Sequence, residues 1–159
     1  MKYSIVIPTY NHLDDCLRPC LESIIKYTDL TNVEVIVVAN GCKDGTRAYV
    51  ESLPSGNFKL LWFNEGIGYT KATNEGIKVA KGEFIVLLNN DTVLLEQQKS
   101  TWLDLLVAPF EDPKVAITGP MQNFCDTALR DFLIFFCVMI RASVFKEIGI
   151  LDEVYKLEK

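Results

Sequence analysis

The chain alternates short apolar runs with longer segments in which apolar residues recur at helical spacing. The run over residues 84–88 has no period-2 alternation, which is typical of a strand covered on both faces within a parallel sheet. Residues 3–7, 33–39 and 58–63 are predicted to form three further strands. Each predicted strand precedes a segment of helical character.

An apolar stripe from Leu13 to Ile25 predicts the first helix, in which Pro19 must either produce a kink or lie in the first turn. Further helices are predicted near residues 44–53, 66–80 and 99–110. A strand-like segment (114–120), an apolar segment (132–140) and a short helix (142–148) follow. This order of elements predicts an α/β fold with a mainly parallel, right-handed doubly wound sheet and helices on both faces.

Polar turns follow directly after the four predicted strands. Their sequences are PTYN (8–11), ANGCKDGT (39–46), NEGIGYTKATN (64–74) and NND (89–91). The carboxyl ends of parallel strands share one edge of a sheet, and ligands of open α/β sheets bind beyond that edge. Taken alone, NND is equally compatible with a simple polar turn. Four such turns together favour a nucleotide-type site.

The composition is that of one folded domain. The 159 residues are 49% hydrophobic and 23% charged, and the net charge is -5. Lys and Arg are scattered, which argues against nucleic acid as a partner because backbone phosphates normally require a basic face. A polyanionic ligand would therefore have to be held by local amides or by a metal.

Cysteine usage and hydropathy predict a reducing, cytoplasmic location. The five cysteines are odd in number and contain no C-x-x-C pair, which argues against a disulfide framework and a structural zinc site. Cys16 and Cys20 are expected to be small core residues. The most apolar segment, FLIFFCVMI, has nine residues, about half the length of a membrane span. Membrane association is expected only through regions not present in this sequence.

Several catalytic and nucleotide signatures are absent from the sequence. There is no G-x-x-x-x-G-K-[ST] motif, and GIGYTK lacks the third glycine of the dinucleotide fingerprint. His12 is the single histidine, so no Ser-His-Asp set is available, and His12 is assigned no role. P-loop proteins, Rossmann dehydrogenases and triad hydrolases are therefore disfavoured.

Four segments between Ser4 and Glu153 resemble the successive landmarks of family 2 glycosyltransferases: SIVIPTYN, EVIVVANGCKDGT, NEGIGYTKATNEGIKVAKGEFIVLLNNDT and VMIRASVFKEIGILDE. The resemblance implies a GT-A, Rossmann-like fold. It also implies transfer of a sugar from a UDP, dTDP or GDP donor to an unknown acceptor, with inversion at the anomeric carbon. Such enzymes serve polysaccharide or glycoconjugate biosynthesis and usually use Mn²⁺ or Mg²⁺.

The resemblance assigns the metal ligand to Asp91, the last position of the family's Asp-x-Asp signature, with Asn89 in place of the first Asp. A divalent cation stabilises the charge that develops on a diphosphate leaving group. Hard cations accept one or two carboxylates and keep waters. The oxygen of Asn89 is expected to meet the sugar or ribose.

The resemblance also implies a set of donor-binding positions. Besides Asn89 they are Pro8, Thr9, Tyr10 and Asn11 at the nucleoside, Asn40 and Asp44 after the second strand, Asn64, Gly68 and Lys71 on the diphosphate side, and Asn90. Many relatives carry an Asp that reads the base where Ala39 stands, so we expect modest base selectivity. Alternatives remain: Asn11 as a helix cap, Asp44 as an N-cap and Lys71 as a solvated helix residue.

The segment GILDE (149–153) matches the acceptor side of the family pattern. In relatives a Glu-Asp pair follows several residues later and supplies the base that deprotonates the acceptor. No such pair precedes Lys159, so either Asp152 or Glu153 serves as the catalytic base or the base is missing. We expect a single GT-A domain over residues 1–159 that is truncated at its acceptor side.

Two other functions remain as alternatives. A non-catalytic nucleotide-sugar-binding remnant would share the donor residues but lack the base. A nucleotidyltransferase would use similar metal chemistry, but the turn after the first strand lacks the expected glycine-rich, basic loop.

Overall fold

The structure, a computed structural model, describes residues 1–54, 56–120 and 133–154. Its strands are β1 (Tyr3–Thr9), β2 (Val33–Asn40), β3 (Phe58–Phe63), β4 (Phe84–Leu88), β5 (Ile117–Thr118) and β6 (Cys137–Arg141). Its α-helices are α1 (Arg18–Tyr27), α2 (Thr46–Ser52), α3 (Tyr69–Val79), α4 (Thr101–Val107) and α5 (Ala142–Ile148). A π-helical turn (Leu13–Leu17) leads into α1, and short 3-10 turns cover Leu30–Asn32 and Ala108–Glu111.

The strands form one six-stranded sheet in the order β3-β2-β1-β4-β6-β5. The first four strands are parallel, with β1 between β2 and β4. Strand β6 runs antiparallel to both β4 and β5. The predicted α/β fold with a mainly parallel sheet is confirmed, and the antiparallel pair lies at one edge.

Helices cover both faces of the sheet, as the sequence predicts. On one face, α1, α2 and α4 pack against alternate strand residues such as Ile5, Val35 and Val86. On the other face, α3 and α5 pack against their neighbours in sequence, such as Val6 and Ile36. Residues of both sets are buried along the same strand, which explains why these runs show no polar alternation.

The helix and strand boundaries differ from the predicted ones at specific residues. Pro19 lies in the first turn of α1, directly after the π-helical turn, which is one of the two places that the sequence allowed for it. Helix α3 begins at Tyr69, three residues later than expected, because Gly68 has a φ of 89°. The strand-like segment 114–120 contributes only the two residues of β5.

The apolar segment predicted over residues 132–140 is a strand only in its second half, where β6 begins at Cys137. Residue 132 lies outside the described part of the chain. Within the described ranges, no helix has the length and apolar character needed to cross a bilayer.

Candidate functional site

The order of the strands creates a switch point between β1 and β4. From β1 the chain moves outward to β2 and β3, and then returns to place β4 on the other side of β1. The loops that leave β1 and β4 therefore diverge, and the crevice between them is the usual ligand site of open α/β sheets. An open cleft of about 340 Å³ lies at this point.

Residues from four of the predicted segments line this first cleft. The full set is Pro8, Thr9, Tyr10, His12, Cys16, Asn40, Tyr69, Asn89, Asn90 and Asp91. A second cleft of about 530 Å³ shares Tyr10 and Asn40 with the first. It is also lined by Gly41, Lys43, Asn64, Glu65, Gly66 and Gly68. Together the two clefts bring most of the expected donor-binding positions to one edge of the sheet.

Two side-chain hydrogen bonds fix the turn after β4. Nδ2 of Asn90 donates to Oγ1 of Thr9 over 2.9 Å, which joins the ends of β4 and β1 across the switch point. The hydroxyl of Tyr69 donates to Oδ1 of Asn89 over 2.9 Å, which joins the same turn to the start of α3. Both amides of the NND segment are thus oriented before any ligand binds, which lowers the entropic cost of binding.

The loops after β1 and β2 are joined by a second group of contacts. Oδ1 of Asn11 accepts from the backbone N–H of Lys43 at 2.8 Å. The N–H of Asn11 donates to Sγ of the buried Cys42 at 3.2 Å. Asn11 lines neither cleft, but it joins the loop after β1 to the loop after β2. The helix-cap role considered for Asn11 is not seen, because His12 occupies the cap position.

The loops after β2 and β3 approach each other closely. Oδ1 of Asn40 accepts from the N–H of Ile67 at 2.6 Å. Gly41 has a φ of 82°, and a Cβ atom at this position would lie 2.5 Å from the backbone N of Gly66. Only glycine fits such an approach. Asn40 and Gly41 therefore fix the boundary between the two clefts.

Among the described residues, Asp91 supplies the only carboxylate that lines the first cleft, and none of the lining residues is Lys or Arg. The Asp91 side chain is exposed and makes no hydrogen bond or ion pair with any residue in the described ranges. Desolvation raises the pKa of the nearby Tyr69, and the negative charge of the Asp91 carboxylate raises it further. The cleft therefore carries one uncompensated negative charge and several amide groups.

Asp44 differs from Asp91 because its carboxylate is already engaged. Oδ1 accepts from both the N–H and the hydroxyl of Thr46, and Oδ2 accepts from the N–H of Leu13 at 3.0 Å. Burial acts to raise the pKa of Asp44, but these hydrogen bonds outweigh it and lower the pKa. Asp44 thus holds the start of α2 against the turn after β1, and it lines neither cleft.

The predicted diphosphate-side residues separate in the structure. Asn64 and Gly68 line the second cleft. Lys71 is exposed on the first turn of α3 and lines neither cleft.

The two acids of the acceptor-side segment also have structural partners. Oδ1 of Asp152 accepts from the N–H of Val154 at 2.8 Å. Oε1 of Glu153 accepts from Nδ2 of Asn74 at 2.9 Å, and the fully buried Asn74 also exchanges hydrogen bonds with the backbone of Leu151. Asp152 and Glu153 line neither of the two clefts.

Ala39, where many relatives carry an Asp, is a buried residue at the end of β2, and its effect on base selectivity stays a prediction. Ala39 has no exposed surface, and it pairs with Thr9 and Trp62 inside the sheet. Asn40 lines both clefts instead.

Three residues of the first cleft were not predicted as binding residues: His12, Cys16 and Tyr69. In the second cleft, the residues not predicted are Gly41, Lys43, Glu65 and Gly66. Tyr69 follows Gly68 at the start of the helix after β3, a position that could have suggested it. His12 and Asn11 have φ values of 58° and 54°, which turn the chain sharply after β1. That left-handed pair has no clear sequence signal beyond the Asn.

Cys20 lies beneath the cleft and is a core residue, as expected. Its Sγ is 3.8 Å from the backbone oxygen of Asn89, and burial raises the pKa of the thiol to about 12. Cys20 therefore stays protonated at neutral pH. Cys16, in contrast, is partly exposed at the cleft wall.

Comparison with known proteins identifies the family of this chain. The model of "Glycosyl transferase family 2" matches residues 4–147. Glycosyltransferase GlyG of Streptococcus pneumoniae is 32% identical over 100 residues, which are 62% of this chain and 33% of that protein.

Two solved structures have the same fold. S. aureus TarS 1-349 in complex with UDP-GlcNAc superposes with a TM-score of 0.70 at 24% identity, over 92% of this chain and 47% of that one. Mannosyltransferase PcManGT from Pyrobaculum calidifontis, in complex with GDP-Man and Mn²⁺, gives a TM-score of 0.77 at 20% identity, over 95% and 47%. The present chain thus spans a third to a half of the length of these proteins.

Proposed function

The chain belongs to glycosyl transferase family 2, and on that premise we propose that it binds a nucleotide diphosphate sugar in the two clefts and passes the sugar to an acceptor. The observation that carries the proposal is the charge of the first cleft: its lining in residues 1–54, 56–120 and 133–154 has one unpaired carboxylate, Asp91, and no Lys or Arg. A diphosphate is a polyanion, so Asp91 would repel it unless a divalent cation lay between them. The neighbouring complexes with UDP-GlcNAc and with GDP-Man and Mn²⁺ support this choice of ligands.

The donor set suits Mn²⁺ or Mg²⁺. These hard cations are commonly held by one or two protein carboxylates together with substrate phosphates and waters. Asp91 is exposed and has no competing partner among the described residues, so it is free to act as the protein ligand. When bound, the cation would stabilise the negative charge that develops on the leaving diphosphate.

The remaining cleft residues would orient the donor. We assign Pro8, Thr9 and Tyr10 to the nucleoside, where the 58% exposed ring of Tyr10 offers a face to the base or ribose. We assign Asn40, which lines both clefts, to the base. Asn64 and Gly68 line the second cleft, and Asn89 and Asn90 offer amide groups to the sugar or ribose.

The other predicted positions have supporting parts in this proposal. Asn11 and Asp44 hold the walls together through backbone contacts. Lys71 stays a candidate phosphate contact only if the donor extends toward the first turn of α3.

We propose transfer with inversion: the acceptor oxygen attacks the anomeric carbon, the bond to the diphosphate oxygen breaks, and the acceptor proton passes to a base. Asp152 and Glu153 remain the candidates on the acceptor side. Each acid uses only one carboxylate oxygen in the hydrogen bonds of the described residues, so both keep an oxygen for a proton. A location in a reducing, cytoplasmic compartment fits the four free thiols of the described residues.

The proposal is tested by titrating UDP, GDP and dTDP, and then their sugar conjugates, into the protein by calorimetry. Each titration is run with Mn²⁺, with Mg²⁺ and with EDTA. We expect at least one nucleoside diphosphate to bind with metal and not with EDTA. Binding that is equal with and without metal would contradict the charge argument. If none of the three nucleoside diphosphates binds, the proposed ligand class is contradicted. Release of the diphosphate in the presence of candidate acceptors then tests transfer itself.

A further inference from the structure

The wall of the first cleft contains a cluster of side chains that the proposed reaction does not use. A ring nitrogen of His12, a carboxylate oxygen of Asp15 and Sγ of Cys16 all lie within 4.8 Å of one another. His12 and Cys16 line the cleft, and Asp15 is exposed beside them. One nitrogen, one oxygen and one sulfur ligand atom therefore face a common space.

We propose that His12, Asp15 and Cys16 form a binding site for a borderline-soft divalent cation, represented by Zn²⁺, that is separate from the Asp91 site. This inference does not depend on the proposed transferase activity. Imidazole and thiolate ligands favour zinc over the hard cations magnesium and manganese, which prefer oxygen. The cluster and Asp91 are thus suited to different metals, although both lie at the same cleft.

The backbone places the three ligands on one side of a single turn. The carbonyl of His12 accepts from the N–H groups of both Cys16 and Leu17 at 3.1 Å, so the turn is wider than an ordinary α-helical turn. The left-handed backbone of His12 brings its ring to Asp15, whose carboxylate lies 2.9 Å from Nδ1. Wide turns of this kind are frequent at functional sites.

The distances within the cluster are close to those of a metal site. Nδ1 of His12 and Oδ2 of Asp15 are 2.9 Å apart. Two such ligands on a tetrahedral zinc ion are about 3.3 Å apart, given bonds of about 2.0 to 2.2 Å. A sulfur and a nitrogen ligand would be about 3.5 Å apart on the same ion. The cation would take the place of the proton that His12 and Asp15 share, with a small movement of the Cys16 side chain.

Three protein ligands leave a fourth coordination position open on zinc, as in sites that hold water or substrate. Because His12 and Cys16 line the cleft, an ion at this site would add positive charge to its wall. The cluster differs from a structural zinc site, which is normally closed by four protein ligands.

The test is calorimetric titration of Zn²⁺ into the reduced protein, together with Co²⁺ substitution followed by absorption spectroscopy. We expect one high-affinity Zn²⁺ per chain and a thiolate-to-cobalt charge-transfer band. Cys16→Ser should remove the band, and each of Cys16→Ser, Asp15→Asn and His12→Asn should weaken Zn²⁺ binding by about tenfold or more. Asn is chosen at position 12 because it tolerates the left-handed backbone found there.

Two matched variants serve as controls. Asp14→Asn removes the neighbouring carboxylate, which pairs with Arg18 and is not part of the cluster. Asp91→Asn removes the proposed ligand for Mn²⁺ or Mg²⁺. Zn²⁺ binding should survive both changes. The proposal is overturned if no stoichiometric Zn²⁺ binds, if Cys16→Ser binds it undiminished, or if Asp91→Asn abolishes it, and circular dichroism confirms that each variant is folded.

Discussion

The hydroxyl of Tyr69, at the start of α3, donates a 2.9 Å hydrogen bond to Oδ1 of Asn89 in the turn after β4. These two residues lie 20 positions apart in the chain, one in a helix that covers the sheet and one in a turn that follows a strand. Their contact orients the amide of Asn89 at the floor of the first cleft. The proposed donor site is therefore organised by contacts between loops and not by any one loop alone.

Removal of this hydroxyl should weaken ligand binding without unfolding the protein. In Tyr69→Phe, Asn89 loses its orienting partner, and a hydrogen bond of this kind contributes about 0.5 to 1.5 kcal/mol. We expect binding of the nucleoside diphosphate with Mn²⁺ to weaken by about two- to tenfold. Tyr27→Phe, at the far end of α1, is the control. Equal affinities for Tyr69→Phe and the unaltered protein would show that Asn89 is not oriented for the donor.

Substitutions at positions 39 and 40 distinguish the core from the cleft. Ala39 is fully buried, so Ala39→Asp would bury an unpaired carboxylate and should lower the free energy of unfolding by about 3 to 5 kcal/mol. Asn40→Asp keeps an oxygen for the N–H of Ile67 and adds charge at the cleft. We expect it to fold and to change the relative affinities for UDP, GDP and dTDP. Urea unfolding and calorimetry measure the two effects; a stable Ala39→Asp protein with altered base preference would reverse the assignment.

Much of the fold could be predicted because burial on both faces leaves a direct pattern in the sequence. The apolar run of β4 and the helical stripe before it suffice to place a strand and a helix. The direction of β6 could not be predicted, since an apolar run carries no information on whether its neighbour is parallel. The length of β5 was overestimated for a similar reason. The segment 114–120 contains apolar residues, but only Ile117 and Thr118 pair with β6.

The site was predictable where residues follow a strand directly, and less so where tertiary contacts decide. Asp91 and Asn90 lie at the cleft because β4 ends at Leu88. The choice between positions 39 and 40 depends on which face each residue occupies at the end of β2, and a fully buried strand offers no alternation to reveal this. The role of Tyr69 depends on a partner 20 residues away.

The loop that carries the acceptor-side acids should depend on one buried amide. Asn74 is fully buried in α3, and it holds both backbone groups of Leu151 and one oxygen of Glu153. Asn74→Ala should lower the free energy of unfolding by about 1 to 3 kcal/mol because these partners lose their hydrogen bonds. It should also speed amide hydrogen exchange over residues 149–154. Glu153→Gln retains an acceptor oxygen for Asn74 and serves as the control; unchanged exchange in Asn74→Ala would contradict the anchoring role.

A buried carboxylate, Glu34 near the start of β2, should make the stability of the protein depend on pH. Glu34 is 2% exposed and accepts hydrogen bonds from Ser4, Lys59 and the N–H of Lys81. Burial acts to raise the pKa of Glu34, but these donors outweigh it, so the folded pKa is below the ordinary 4.5. A carboxylate whose pKa is lower in the folded chain stabilises the folded state at every pH above the pKa of the unfolded chain. This contribution to stability is lost as the pH falls through the folded pKa.

Urea unfolding between pH 7 and pH 3 measures this contribution. We expect the unaltered protein to lose stability below about pH 4.5 and Glu34→Gln to show a smaller loss over the same range, because Gln does not titrate. Other carboxylates titrate in both proteins, so the difference between the two curves isolates Glu34. Parallel curves would show that Glu34 has the same pKa in the folded and unfolded chains.

The most direct test of the account is a titration of UDP, GDP and dTDP, each with Mn²⁺, into the unaltered protein and Asp91→Asn. The control is Asp104→Asn, which removes an exposed carboxylate from α4 away from the clefts. If Asp91 holds the cation, at least one diphosphate will bind to the unaltered and Asp104→Asn proteins, and its affinity for the folded Asp91→Asn protein will fall by about tenfold or more, as expected for losing a metal ligand. Undiminished, Mn²⁺-dependent binding to Asp91→Asn would contradict the account.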